Sequence, residues 1–158
     1  MTKILFVCHG NICRSPLAEF YMKHIVDKAG RSSEFEILSK ATSTEEIWNG
    51  KGSPIYGPMR EVMEEHGVPY DDSKRAMQVK SRDYDYFDLI VCMDKNNLRN
   101  IAGIIGNDPD GKVHLLMEYA DGVEKSFARD VADPWYTRDF EAAYRDIKAG
   151  CEGLLERL

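Results

Sequence analysis

Apolar positions in this chain fall into short runs that alternate with longer amphipathic stretches. Ile4-Leu5-Phe6-Val7 is unbroken, so residues 3–7 read as a strand buried on both faces, as strands of parallel sheets are. Leu17, Ala18, Tyr21, Met22, Ile25 and Ala29 then recur at helical spacing, opened by Ser15-Pro16 and stopped at Gly30. Phe35, Ile37 and Leu38 predict a second strand. Residues 39–57 are polar, contain Trp48, Gly50, Gly52 and Pro54, and predict a long loop of the kind that often carries function. Pro58 to His66 predicts a short helix ended by Gly67; residues 68–86 predict an irregular stretch with one helical turn near Arg75–Val79. Phe87 to Met93 predicts a third strand, and Asp94 a cap for a helix carrying Leu98, Ile101, Ala102 and Ile105. A turn at 107–111, a fourth strand at Val113–Met117 and a second long loop at 118–136 follow. The most regular pattern comes last: Phe140, Ala143, Tyr144, Ile147, Cys151, Leu154, Leu155 and Leu158 line one helix face.

Four strands alternating with helices predict one α/β domain over residues 1–158, a three-layer α/β/α arrangement with a four-stranded parallel sheet. Right-handed crossovers put the loops that follow the strands on one edge, where such sheets bind ligands. The loop after the first strand is therefore where chemistry is expected, and it reads Cys8-His9-Gly10-Asn11-Ile12-Cys13-Arg14-Ser15-Pro16.

A loop entering a helix turns N–H groups inward, and the helix N-terminus carries about half a positive charge. Gly10 offers backbone angles denied to other residues, which lets the amides of His9, Gly10, Asn11, Ile12 and Cys13 face one centre and bind an anion. Arg14 can grip two phosphate oxygens at once. The same field favours the thiolate form of Cys8, which is the nucleophile. Ser15 can donate to the Cys8 sulfur, and Asn11 can hold the loop rigid through its side chain. This constellation predicts transfer of a phosphoryl group to Cys8. Expelling an alkoxide or phenoxide then calls for a proton, and Asp133 in Asp133-Pro134-Trp135-Tyr136 is the candidate acid, with Asp130 the nearest alternative. Trp48, Trp135 and Tyr136 stand in polar loops; they either cover the core or wall a slot deep enough to bring phosphotyrosine, but not phosphoserine, to Cys8.

Composition narrows the alternatives. A formal charge of -6 over 158 residues argues against a nucleic-acid or membrane-surface binder, and no apolar run is long enough to span a bilayer. The N-terminus enters a strand pattern at once, so no signal peptide is expected. Four cysteines, Cys8, Cys13, Cys92 and Cys151, are too few for a disulfide framework at this length; a catalytic thiol suits a reducing cytoplasm. The Cys8/Cys13 spacing is not that of a metal-ligand pair, so no metal is expected.

The nine-residue string from Cys8 to Pro16, together with Asp133-Pro134-Trp135-Tyr136 at the place of an acid loop, resembles the low-molecular-weight protein tyrosine phosphatases over nearly the whole chain. That resemblance implies a flavodoxin-like fold and cofactor-free hydrolysis of phosphotyrosine and aryl phosphate monoesters through a cysteinyl phosphate. It implies phosphotyrosine proteins or peptides as substrates, inorganic phosphate and other oxyanions as product or inhibitors, and a monomer or weak dimer. It makes Ser39 the partner of Asn11, and Cys13 a thiol that traps oxidised Cys8 as a disulfide. It also favours the aromatic slot. The chain departs from the family pattern in three places: His9 stands where a bulky apolar residue is frequent, Lys40 follows Ser39 in place of a small residue, and Ser73-Lys74-Arg75-Ala76-Met77 lacks the arrangement of His and Arg often found there.

Rival chemistries make distinct demands. Arsenate reduction needs relay thiols, whereas Cys92 stands alone after its strand and Cys151 falls on a core helix face. A phosphotyrosine-binding module would dispense with the thiol or the acid. A thiol-redox protein using Cys8 and Cys13 would not require Arg14. A P-loop nucleotide hydrolase would need a Gly-Lys-[Ser/Thr] ending that is missing here.

Overall fold

The computed structural model describes residues 1–120 and 128–158. Strand β1 (Thr2–Cys8) leads into helix α1 (Arg14–Lys28), a 3₁₀ turn at Ser32–Glu34 and strand β2 (Phe35–Ala41). A small hairpin, β3 (Ile47–Trp48) and β4 (Lys51–Gly52), precedes α2 (Gly57–Glu65) and the short α3 (Asp83–Tyr86). Strand β5 (Leu89–Cys92), α4 (Lys95–Ile105) and β6 (Val113–Leu115) complete the sheet, and α5 (Pro134–Thr137) and α6 (Phe140–Glu156) close the chain.

The four-stranded sheet has the order β2-β1-β5-β6 and is parallel throughout, with Ile4 opposite Ile37 on one side and Leu89 on the other. This is the flavodoxin-like order. Alternate β1 side chains face opposite layers. Ile4, Phe6 and Cys8 pack with Leu17, Met22, Met59, Ile147 and Leu154 from α1, α2 and α6. Leu5 and Val7 pack with Tyr84, Phe87, Ile90 and Ile101 on the α3 and α4 side. Burial on both faces is why β1 carries no polar alternation. The chain leaves β1 for β2 on one side and returns to β5 on the other, which opens a crevice at the carboxyl ends of β1 and β5.

The expected elements need several corrections. Residues 39–57 are not one loop: β2 runs on to Ala41, and Asn49 and Gly50, at φ 50 and 76, make the tight turn of the β3–β4 hairpin. Two successive left-handed residues match the right-handed twist of the paired strands, which is why Asn-Gly stands there. No helical turn forms near Arg75–Val79. That segment is extended and bridges Ala41 through Gln78 and Pro54 through Arg75. The fourth strand stops at Leu115, and Leu116–Tyr119 continues as a 3₁₀ turn. Of the expected loop 118–136, residues 121–127 lie outside the described residues, and α5 begins at Pro134. Leu158, placed on the apolar face of the last helix, lies beyond its end and is exposed.

Candidate active site

Cys8 ends β1 and Arg14 begins α1, so the covalent spacing between them is spent on a loop at the mouth of the crevice. The chain reverses at Asn11, whose φ of 58 is left-handed, a conformation asparagine tolerates better than most residues. Gly10, expected to supply the unusual backbone angle, does not. Its missing side chain makes room instead, since a Cβ there would lie 3.3 Å from Cγ of Glu46. The Asn11 amide donates to Cys8 Sγ at 3.3 Å. The N–H groups of Gly10, Ile12 and Cys13 have no protein acceptor among the described residues and remain available to an anion.

Cys8, His9, Gly10, Asn11, Ile12, Cys13, Arg14, Asp133, Trp135 and Tyr136 all line one cavity of about 380 Å³. Arg14 is 3% exposed. It donates from Nη1 to Asp94 Oδ2 at 2.9 Å and to the Val131 carbonyl at 3.0 Å, and from Nη2 to Asp133 Oδ2 at 3.4 Å. Burial works against its charge, but Cys8, Asp133 and Asp94 more than offset that and raise its pKa above the ordinary value. Asp133 caps α5, accepting from the Trp135 amide on Oδ1 at 3.0 Å, so its second oxygen is left turned to the guanidinium. Asp130 is not in the cavity; it accepts from the Lys95 amide at the start of α4.

Behind the loop, Ser15 Oγ lies 3.0 Å from Cys8 Sγ, and Asn11 Nδ2 donates to both Ser15 Oγ and Ser39 Oγ at 2.9 Å. Ser39 is thus brought to Asn11 as expected of it. Ser15 makes no capping bond to α1. His9 pairs with Glu45 at 2.9 Å on the rim. Burial and the neighbouring Cys8 push the Cys13 thiol up.

Trp48 is the exception among the expected residues. It sits on the hairpin, is 77% exposed and does not line the cavity. Tyr56 takes the place meant for it: its ring lies 6.3 Å from that of Trp135 and 6.0 Å from that of Phe140, and both Tyr56 and Phe140 line the cavity. Asp94, Tyr56 and Val131 were not expected at the site. Asp94 carried a visible signal only for its second role, the cap of α4, which it performs with Asn97 as a reciprocal pair. Val131 bonds the strand end through its N–H to the Met93 carbonyl at 2.9 Å, and nothing in its local sequence marks this.

A family model described as low molecular weight phosphotyrosine protein phosphatase matches residues 3–158. The low molecular weight protein-tyrosine-phosphatase YfkJ of Bacillus subtilis is 36% identical over 155 residues, covering 98% of this chain and 94% of that protein. Its crystal structure gives a TM-score of 0.89, at 33% identity, over 99% of this chain and 94% of that one. The low molecular weight protein tyrosine phosphatase SP-PTP of Streptococcus pyogenes gives 0.84 at 38% identity, over 100% and 93% of the two chains. Vibrio vulnificus Wzb, solved in complex with benzylphosphonate, gives 0.81 at 25% identity, over 99% of each chain. Since the match extends from residue 3 to residue 158, this chain belongs to the low molecular weight phosphotyrosine protein phosphatase family.

Proposed function

We propose that the chain, acting as one domain, hydrolyses phosphotyrosine and other aryl phosphate monoesters through a cysteinyl phosphate. The observation that carries this reading is the convergence of Cys8, Arg14 and Asp133 on one cavity. Family membership supports it, as does the benzylphosphonate bound by Wzb, an aryl-bearing phosphate mimic.

In the first step Cys8 sulfur attacks phosphorus, an S–P bond forms and the ester P–O bond breaks. Asp133 gives its proton to the departing phenolic oxygen. Arg14 and the free loop amides hold the three remaining oxygens while charge redistributes among them. In the second step water attacks phosphorus, Asp133 takes the proton, the S–P bond breaks and inorganic phosphate leaves. The substrate ring lies among Tyr56, Trp135 and Tyr136, at the depth that an aryl ester spans and a serine ester does not. Cys13 stands ready as a resolving thiol: after peroxide converts Cys8 to a sulfenic acid, Cys13 attacks that sulfur, water leaves and a disulfide remains.

The test is hydrolysis of an aryl phosphate by wild type and Cys8→Ser, with phosphotyrosine and phosphoserine peptides as competitors. A burst of phenol, loss of turnover in Cys8→Ser and stronger competition by phosphotyrosine are expected. Turnover that survives Cys8→Ser would remove the assignment. Phosphopeptide binding with no phosphate release would replace it with a binding module.

A further inference from the structure

A row of polar side chains runs behind the nucleophile, away from the cavity. Lys74 Nζ lies 3.0 Å from Glu19 Oε1 and donates to the Ser39 carbonyl at 2.8 Å. Ser39 Oγ lies 2.6 Å from the same Glu19 oxygen. Asn11 bonds Ser39 and Ser15, and Ser15 reaches Cys8, as described above. Glu19 is only 2% exposed. A carboxylate so deep in the interior is stable only with charged or hydrogen-bonding partners.

Valence fixes the direction of this row. Both Glu19 oxygens face ammonium groups, Oε1 that of Lys74 and Oε2 that of Lys23 at 2.6 Å. An ionised carboxylate only accepts, so the single Ser39 hydroxyl proton points to Glu19. The Met77 amide donates to Asn11 Oδ1 at 3.1 Å, which turns both Nδ2 hydrogens the other way, one to Ser39 and one to Ser15. Ser15 Oγ therefore accepts from Asn11, and its own O–H is left for the Cys8 sulfur. We infer that Lys74 is a positioning residue for the nucleophile: it holds Glu19 as a carboxylate, which directs the Ser39–Asn11–Ser15 row so that Cys8 meets a hydroxyl donor and not an acceptor. Such a donor stabilises sulfur as the thiolate, both before attack and when the S–P bond breaks.

The side chain of Lys74 is nearly buried, whereas Lys23 is about half in solvent, so water screens the second partner more than the first. Cys8 also shares its cavity with Cys13 and Arg14 of its own loop, Asp133 and Asp94, and Cys92 ends the neighbouring strand β5. The Lys74 ammonium bonds Glu19 and the Ser39 carbonyl, and makes no hydrogen bond or ion pair to any of these groups.

The inference rests on Cys8 as the nucleophile, so its test reads the thiol directly. The rate of iodoacetamide labelling at Cys8, located by peptide mass, is followed from about pH 5 to pH 9 in wild type, Lys74→Met, Ser15→Ala and the double variant, beside the thermal midpoint of each. Lys74→Met is expected to label about three- to tenfold more slowly on the acid limb, with the alkaline plateau unchanged, the scale of one ordinary net hydrogen bond. In the Ser15→Ala background the same change is expected to have no effect on labelling. A folded Lys74→Met protein with the wild-type profile would overturn the inference. So would equal slowing with and without Ser15, because the charge would then act through space. If Lys74→Met does not fold, Glu19→Gln carries the same comparison. Because labelling needs no turnover, failed aryl phosphate hydrolysis beside a Ser15-dependent Lys74 effect would count against the phosphatase reading alone.

Discussion

At the scale of single residues, the proposed chemistry divides the work between a thiol, a guanidinium and a carboxylate that come from separate parts of the chain. Asp133 has one oxygen tied to the Trp135 amide and the other 3.4 Å from Arg14, so the group proposed to deliver the proton is already oriented. Asp133→Ala is expected to lower kcat by about 10²–10⁴-fold on a phenyl ester with a poor leaving group. The loss should shrink with a nitrophenyl ester, whose leaving oxygen needs little help. Steady-state kinetics on the two esters decide it: equal losses would take the acid role away from Asp133. Arg14 illustrates a different economy. Three acceptors hold its guanidinium before any anion arrives, so little side-chain entropy remains to be lost on binding.

At the scale of elements, backbone approaches set what can vary. Helix α6 meets the 3₁₀ turn after β6 so closely that a Cβ at Gly153 would run into the Tyr119 carbonyl. Gly153→Ala must push the two apart and is expected to destabilise the fold by roughly 1–3 kcal/mol, read as a lower urea midpoint. Gly103 in α4 has nothing within 4 Å of its added Cβ. There the same substitution removes only the backbone freedom of glycine and is expected to stabilise by roughly 0.5–1 kcal/mol. Matching effects at the two positions would contradict the close helix contact. The α4 start serves structure and site together, because Asp94 caps the helix through Oδ1 while Oδ2 receives Arg14.

At the scale of the whole molecule, the sheet order places the loop after β1 and the cap after β5 across one crevice, and the acid loop joins them through Val131. The same packing buries two thiols that the proposed chemistry does not use. Burial raises Cys92 and Cys151, helped at Cys92 by Asp94 and Cys8 and at Cys151 by Glu152. In the unfolded chain a cysteine ionises near pH 8.5. Below that pH both states hold the proton and the full stability is present; above it only the unfolded state releases the proton, so stability falls as pH rises. Each thiol contributes about 1.4 kcal/mol of loss per pH unit. The urea midpoint is therefore expected to drop between about pH 8 and pH 9.5, and Cys151→Ala to flatten the fall. A midpoint constant over that range would count against these thiols being held protonated.

Much of this was legible in the chain itself. An unbroken apolar β1, the helical spacing of α1 and α6, and the cap at Asp94 are local signals, since burial period and capping chemistry are written within a few neighbouring residues. The loop from Cys8 to Ser15 was legible for the same reason, its chemistry being confined to one turn of backbone. The hairpin is also written locally, in the Asn49-Gly50 pair, but the polar composition around it is equally that of a loop. Other features had no local signature. That Tyr56 and not Trp48 faces the cavity depends on which side of a hairpin and a helix start meets the acid loop. That Lys74 stands behind the loop from Cys8 to Ser15 depends on a contact with Glu19 across 54 intervening positions of sequence. Sequence determined the elements and the reactive string, because those follow from nearest neighbours. The tertiary structure alone decided which distant side chains converge on that string, because convergence is fixed by how the layers pack and by where the sheet reverses its order.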